Sequence, residues 1–384
     1  LPKVVTGCIW EYALGGCEGN TLHYRPLHTL SYLITWQISS QPWVFHLVNL
    51  FYFFSAVFLT FVFIKLLTKN GIIAFFAAVF FLIHPINTEV VNWASTVTDL
   101  LLVIFVLLSL ILYILYRNTN SLKYLLGACL GYFLAMLSKE PAVFVVPMLV
   151  VALDLFVLRM PLRQMVRLRE LKRYLLFALP FLIYFLMRMG ALGGLGGLTS
   201  KEDYFGGFSF GERIYTFVAL FIYYLKEMLY PYPLVFYHDF QIRSSLLHPM
   251  FLLSLILLGC FAALFFVLLK RKKHVFVFSL AWVVIFFFPM LVFFNVAGQN
   301  VFAERYLFGS GIGLGLFVSL LLYPLWARKR IAIFLVVGAL VGVSWFFVFP
   351  RNAVWKDTVS LLQATLIQNP KATKIREYLA GHAD

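Results

Sequence analysis

Ten stretches of this chain each carry about twenty nearly unbroken apolar residues, the length a helix needs to cross the hydrocarbon of a bilayer. They are 43–67, 71–86, 98–116, 121–138, 141–159, 172–190, 246–269, 274–295, 301–323 and 329–349. The runs are continuous rather than alternating, so helices and not barrel strands do the spanning. Of the 384 residues 62% are hydrophobic and only 12% charged, whereas a soluble domain carries about 25% charged residues. Too little polar surface exists to cover a water-exposed globule. The sequence is that of an all-α polytopic membrane protein with about ten spans.

The net charge of +15 would suggest nucleic acid in a soluble protein, but its location removes that partner. Five short loops, 65–70, 117–123, 159–173, 270–274 and 328–330, hold 17 of the 31 basic residues and a single acid, Glu170. Basic loops of this kind stay in the cytoplasm. Alternation then places 87–97 and 139–140 outside. Segment 211–230 breaks the parity, because its crossing would carry the KRKK run at 270–273 outside. With Lys226, Glu227 and four tyrosines it reads as an interfacial or re-entrant helix of the outer leaflet, and 22–39 reads the same way.

Three regions follow. Residues 1–42 form the remnant of a first extracytoplasmic loop with an interfacial helix. Residues 43–349 form a transmembrane domain with a large outer loop, 191–245, that is glycine-rich at its start and proline-rich near its end. Residues 350–384 begin an extracytoplasmic helical domain. The chain opens at Leu1 with neither Met nor a targeting segment, which reads as a fragment whose N-terminus is missing. Cys129 and Cys260 sit in apolar runs as packing residues. Cys8 and Cys17 share one extramembrane stretch and could pair if that side is oxidising.

Ionisable side chains in a membrane protein are costly and mark function by default. Outside the basic loops they gather at the outer ends of the runs: Arg25, His46 with Asn49, His84, Glu89, Asp99, Lys139, Glu140, Arg188, His238, Asp239, and Glu304 with Arg305. At least seven separate segments thus deliver polar groups to one membrane face. Each has a plainer reading. The arginines can snorkel to headgroups, Asp99 and Glu140 can complement helix dipoles, and His46 and Asn49 suit interhelical hydrogen bonds. His84, His238 and Asp239 match no metal spacing, so no metal site is assigned.

These residues lie in motifs with an order of their own. HYRPL at 23–27, FHLVN at 45–49, HPINTEVV followed by TDLL, SKEPA, LYPYPLVFYHDF, FAERYLF and NAVWKDTVSLLQATLIQNPKA together resemble the membrane O-mannosyltransferases that carry tetratricopeptide repeats. Those belong to the GT-C superfamily of polyprenyl-phosphate-sugar glycosyltransferases. The resemblance covers essentially the whole chain. It implies a GT-C-like fold with one further N-terminal helix and an acidic pair upstream of Leu1, so the main catalytic acid lies outside this sequence.

The resemblance further implies transfer of a sugar, mannose by analogy, from a polyprenyl phosphate to a protein or glycan hydroxyl at the extracytoplasmic face, with inversion. The donor is the lipid-linked sugar, no other cofactor is assigned, and the bilayer is a partner. A leaving phosphate gains negative charge that preorganised cations stabilise; Arg305, Arg25, Arg188 and Lys139 are the candidates. The acceptor hydroxyl needs a carboxylate base, and Glu89 is the best one present, with His84 to orient it or the sugar. His238, Asp239, Asp99 and Glu140 would contact sugar or acceptor. Two other classes stay open: a lipid-linked-sugar flippase or transporter, and a non-catalytic membrane-anchored repeat scaffold. The absence of any Asn-X-Ser/Thr sequence favours a bacterial inner membrane over the endoplasmic reticulum.

Overall fold

The computed structural model describes residues 23–192, 209–238, 249–292, 302–326, 328–370 and 372–380, with Val4 and Gly7. Every regular element among the described residues is helical. The first half comprises α1 (Pro26–Ile38), α2 (Pro42–Thr68), α3 (Gly71–Ile83), the short α4 (Thr88–Asn92), α5 (Val97–Thr119), α6 (Leu122–Ser138) and α7 (Ala142–Ala152). A π-helical turn, Leu153–Val157, extends α7, and α8 (Leu162–Met165), α9 (Leu168–Leu176) and α10 (Ala178–Leu192) follow. The second half holds α11 (Phe210–Leu229), α12 (Pro249–Lys270), α13 (His274–Val292), α14 (Ser310–Trp326), α15 (Arg330–Val354), α16 (Thr358–Gln368) and α17 (Thr373–Ala380).

Local chemistry sets the helix ends. Pro26 and Pro42 open α1 and α2, where the missing N–H costs nothing. Asn70 caps α3 by accepting from the backbone N–H of Ile72 and Ile73, and Ser209 with Glu212 forms a reciprocal capping box on α11. Lys69 and Asn120 close α2 and α5 in the left-handed region, at φ 55° and 54°.

The core is a bundle of α2, α3, α5, α6, α7, α13 and α14. Close approach depends on missing side chains. A Cβ on Gly131 of α6 would stand 3.0 Å from the Ser109 backbone of α5, and one on Gly315 of α14 would stand 2.8 Å from the Ala77 carbonyl oxygen of α3. Ser109 Oγ donates to the Ala128 carbonyl at 2.8 Å, and Trp282 Nε1 donates to that of Gly309 at 2.8 Å. By contrast α12 and α15 leave most of their apolar side chains bare, Phe266, Phe334, Leu335 and Phe346 among them. Lipid, not water, suits such faces.

All ten apolar stretches correspond to helices, but not to ten equal ones. Five helices are long and apolar enough to cross a membrane: Pro42–Thr68, Ala94–Thr119, Leu168–Leu192, Pro249–Lys270 and Arg330–Val354. Gly71–Ile83 and Pro85–Asn92 pass together as a pair bent by 54°, and four further apolar helices are shorter. The stretch expected to begin a span at 301 becomes helical only at Ser310, after a 3₁₀ turn over Glu304–Leu307. The expected helix at 211–230 is α11, whose Ala219, Leu220, Phe221 and Tyr224 share a second core with Val283, Phe287, Phe302 and Leu307. Cys129 is buried, whereas Cys260 is exposed on α12 and does not pack as expected. Cys8, Cys17 and, within the loop 191–245, residues 193–208 and 239–245 lie outside the described residues.

Candidate functional site

Helices break, or end, at one pole of the bundle, and the breaks carry the charges. The first break follows α3. Pro85 cannot continue the hydrogen-bond ladder, and His84 caps the next turn by accepting at Nδ1 from the Ile86 N–H at 3.3 Å. That bond leaves the proton on Nε2, which donates to the Met228 carbonyl at 3.0 Å. Both ring nitrogens are thus engaged by backbone. His84 thereby ties the break to the end of α11. Asn49 of α2 holds the next break, at the end of α4, donating to the carbonyls of Val91 and Trp93 at 3.4 and 3.0 Å.

The bend turns Glu89 inward, where it is fully buried. Its Oε1 accepts from Arg305 Nη1 at 2.6 Å and its Oε2 from the Arg305 backbone N–H at 2.9 Å. The Arg305 guanidinium also lies over two rings, 5.1 Å from Trp93 and 4.9 Å from Tyr306. Lys139 meets Tyr306 from another side at 5.6 Å and binds Asp99 Oδ1 at 2.6 Å. Its neighbour Glu140 accepts from Arg25 Nη2 at 2.8 Å and Nε at 3.0 Å, with His23 at 3.4 Å and Arg188 at 3.6 Å. Asp99 interacts electrostatically with both Arg25 and Arg305, so the pairs form one cluster.

A second buried carboxylate, Glu304, sits beside the first, close enough for the two charges to repel. Its Oε1 accepts from the Val235 N–H at 2.5 Å. His238 Nε2 stands 3.6 Å from Oε1, and Arg351 Nη2 from the end of α15 stands 3.9 Å from Oε2. Those separations exceed a hydrogen bond, and Glu304 Oε2, His238 Nε2 and Arg351 Nη2 each lack a hydrogen-bond partner. Three polar groups therefore converge here with hydrogen-bonding capacity unspent. Burial pushes the Glu304 carboxyl up to about 7. Aromatic contacts run alongside: Trp93 meets Phe236 at 5.5 Å, Phe236 meets Trp355 at 5.7 Å, and Arg351 lies 5.4 Å from the Trp355 ring.

Among the described residues the cluster sets five cations (Arg25, Lys139, Arg188, Arg305 and Arg351) against four carboxylates (Glu89, Asp99, Glu140 and Glu304). With the histidines neutral it keeps a positive excess, which fits an anionic ligand. Of the residues expected from sequence, Glu89, Asp99, Lys139, Glu140, Arg25, Arg188, Arg305 and His238 are brought together; His84 is at the edge, and Asp239 lies outside the described residues. Sequence reading noted Glu304 without giving it a role, and it missed Tyr306, Trp93 and Arg351. The adjacency of Glu304 and Tyr306 to Arg305 was the available signal. No group of three or more His, Cys, Asp or Glu side chains among the described residues could hold a metal ion.

Along nearly its whole length the chain is similar to the protein O-mannosyl-transferase F38B6.6 of Caenorhabditis elegans, 25% identical over 393 aligned positions that cover 98% of this chain and 53% of that protein. A shorter region, 134 residues or 33% of this chain, is 35% identical to the protein O-mannosyl-transferase TMTC2 of Homo sapiens and covers 16% of it. The Xenopus laevis protein O-mannosyl-transferase tmtc2 is 33% identical over 136 residues, again 33% of this chain and 16% of that protein. The chain thus spans about half the length of the worm relative, and its match covers about a sixth of the vertebrate ones. No family model matches the chain, and no solved structure matches it. The expected likeness to O-mannosyltransferases is met by these relatives. They are animal proteins, so the expectation of a bacterial inner membrane is without support.

Proposed function

We propose that this chain is the membrane part of a GT-C-type glycosyltransferase that moves mannose from a polyprenyl-phosphate donor to a protein hydroxyl at the extracytoplasmic face. The observation that carries this reading is the buried Glu89–Arg305 pair, which joins stretches 216 residues apart beside a second, partly unsatisfied carboxylate. Burying so many charges is costly, and a cluster with a positive excess at a bundle end is suited to a lipid-linked phosphate. The names of the relatives supply the sugar and the acceptor class.

In this reading Arg305, Arg25, Arg188 and Lys139 surround the phosphate and stabilise the charge it gains as the glycosidic bond breaks. Glu89 has both oxygens committed to Arg305, so it holds that cation rather than acting as base. Glu304 has an oxygen to spare and takes the acceptor proton, with His238 and Arg351 beside it. Asp99 and Glu140 orient Lys139 and Arg25. The chain crosses the bilayer ten times within 43–349, with the basic loops in the cytoplasm, and 350–384 begins an extracytoplasmic repeat domain; the animal relatives favour the endoplasmic reticulum membrane.

The test is transfer of radiolabelled mannose from polyprenyl-phosphate mannose to an acceptor peptide by the full-length gene product. Expected is transfer that is lost on Glu89→Gln and on Arg305→Met. Absence of transfer with every acceptor, or full activity in Glu89→Gln at equal expression, overturns the reading.

A further inference from the structure

The other pole of the bundle carries a second charged assembly, about 27 Å along α5 from Asp99 at 1.5 Å per residue. There Asp154, in the π turn and fully buried, accepts from the Tyr113 and Tyr174 hydroxyls at 2.6 Å each and lies 3.4 Å from Arg117 Nε. Glu170 of α9 takes Arg117 Nη1 at 2.8 Å and Arg173 Nη1 at 2.5 Å, while Arg173 Nη2 reaches Asn120 Oδ1 at 3.4 Å. The inner side of α9 is therefore pinned to the bundle by Glu170, Arg173 and Tyr174. The single acid of segment 159–173 is consumed by that anchorage.

What remains on the outer side is of one sign. Arg163, Arg167, Arg169 and Lys172 are exposed, and no carboxylate among the described residues pairs with them. Interleaved with them are bare apolar side chains, Leu162 at 69%, Val166 at 73% and Leu168 at 68% exposure. Arg159 and Lys272, from a second basic loop, both act electrostatically on His274, so two loops share this face. Leucines beside unpaired cations, on a segment tethered between the apolar helices α7 and α10, make the composition of a helix lying in a headgroup layer. A water-soluble acidic partner would leave the leucines uncovered.

We infer that segment 161–176 is a binding surface for anionic phospholipid headgroups of the adjoining leaflet, with Arg163, Arg167, Arg169 and Lys172 as its cations. The inference stands apart from the reaction at the other pole. Each such charge near an anionic surface is worth roughly a fivefold gain in binding.

The experiment is native mass spectrometry of the detergent-purified full chain titrated with phosphatidylserine or phosphatidylcholine. Expected is a preference of at least about tenfold for phosphatidylserine. It falls below about twofold when the four cations are changed together to Gln, and it persists when the three arginines become Lys, which shows that the fold is intact. A preference retained by the Gln variant overturns the inference. So does an equal loss on Lys65→Gln with Lys69→Gln, which would mark diffuse charge rather than this surface.

Discussion

Glu89 holds Arg305 at two points, accepting from its guanidinium through one carboxylate oxygen and from its backbone N–H through the other. The carboxylate thus fixes the side chain and the turn that bears it. Removing one partner strands a buried charge, which costs about 3–5 kcal/mol. Arg305→Met is expected to lower thermal stability in detergent by that amount, whereas Arg305→Met with Glu89→Gln recovers part of it. Transfer stays absent in both, and a double-mutant cycle on unfolding measures the coupling.

Glu304 predicts a pH profile. A carboxylate is a base only when ionised, and this one is raised from the ordinary carboxylate range to about 7. The rate should climb about tenfold per pH unit below 7 and level above it. Stability should move the other way: the unfolded chain releases the proton near its ordinary value, so stabilisation is lost as pH rises from there through 7. Glu304→Gln should abolish the ascending limb of the rate and flatten the stability trend.

Trp355, just beyond the last apolar helix, contacts Arg351 on one side and Phe236 on the other. Trp355→Ala removes one cation–π and one edge-on aromatic contact, about 1–2 kcal/mol together. Because Arg351 then loses its platform, the rate constant should fall more than acceptor affinity does. Steady-state kinetics separating kcat from KM will show it, and Trp355→Phe should restore most of the loss.

Tyr113→Phe and Tyr174→Phe each delete one hydrogen bond to buried Asp154. A bond to a charged partner is worth about 1.5–3 kcal/mol. Thermal unfolding should register that loss, while transfer by the folded protein is unchanged because the assembly lies at the far pole.

Much of this was legible in the residues. Helix ends fell near the expected positions wherever Pro26, Pro42 or Asn70 marked them, and the gathering of charge at span ends followed from the cost of placing it elsewhere. Pairing was not legible. Nothing local to Glu89 specifies Arg305, and nothing local to Lys139 specifies Asp99, because only packing of α3, α5, α6 and α14 sets those distances. Glu304 counts among the outer-end charges but takes no role from sequence, because nothing in its own stretch shows that Val235, His238 and Arg351 stand around it. The π turn at 153–157 left no mark in the sequence, although it carries the buried Asp154.

Arg351 sits near the end of a continuous helix that begins at Arg330, and Asn352 one step on accepts from Asn92 Nδ2 at 2.8 Å. A helix advances about 100° per residue, so a single inserted residue upstream would swing the guanidinium a quarter-turn or more off Glu304, and four would restore the bearing while pushing it about 6 Å too far. Side chains along this rod can be exchanged, but its length cannot drift: the phase of α15 is locked to the contacts at its tip.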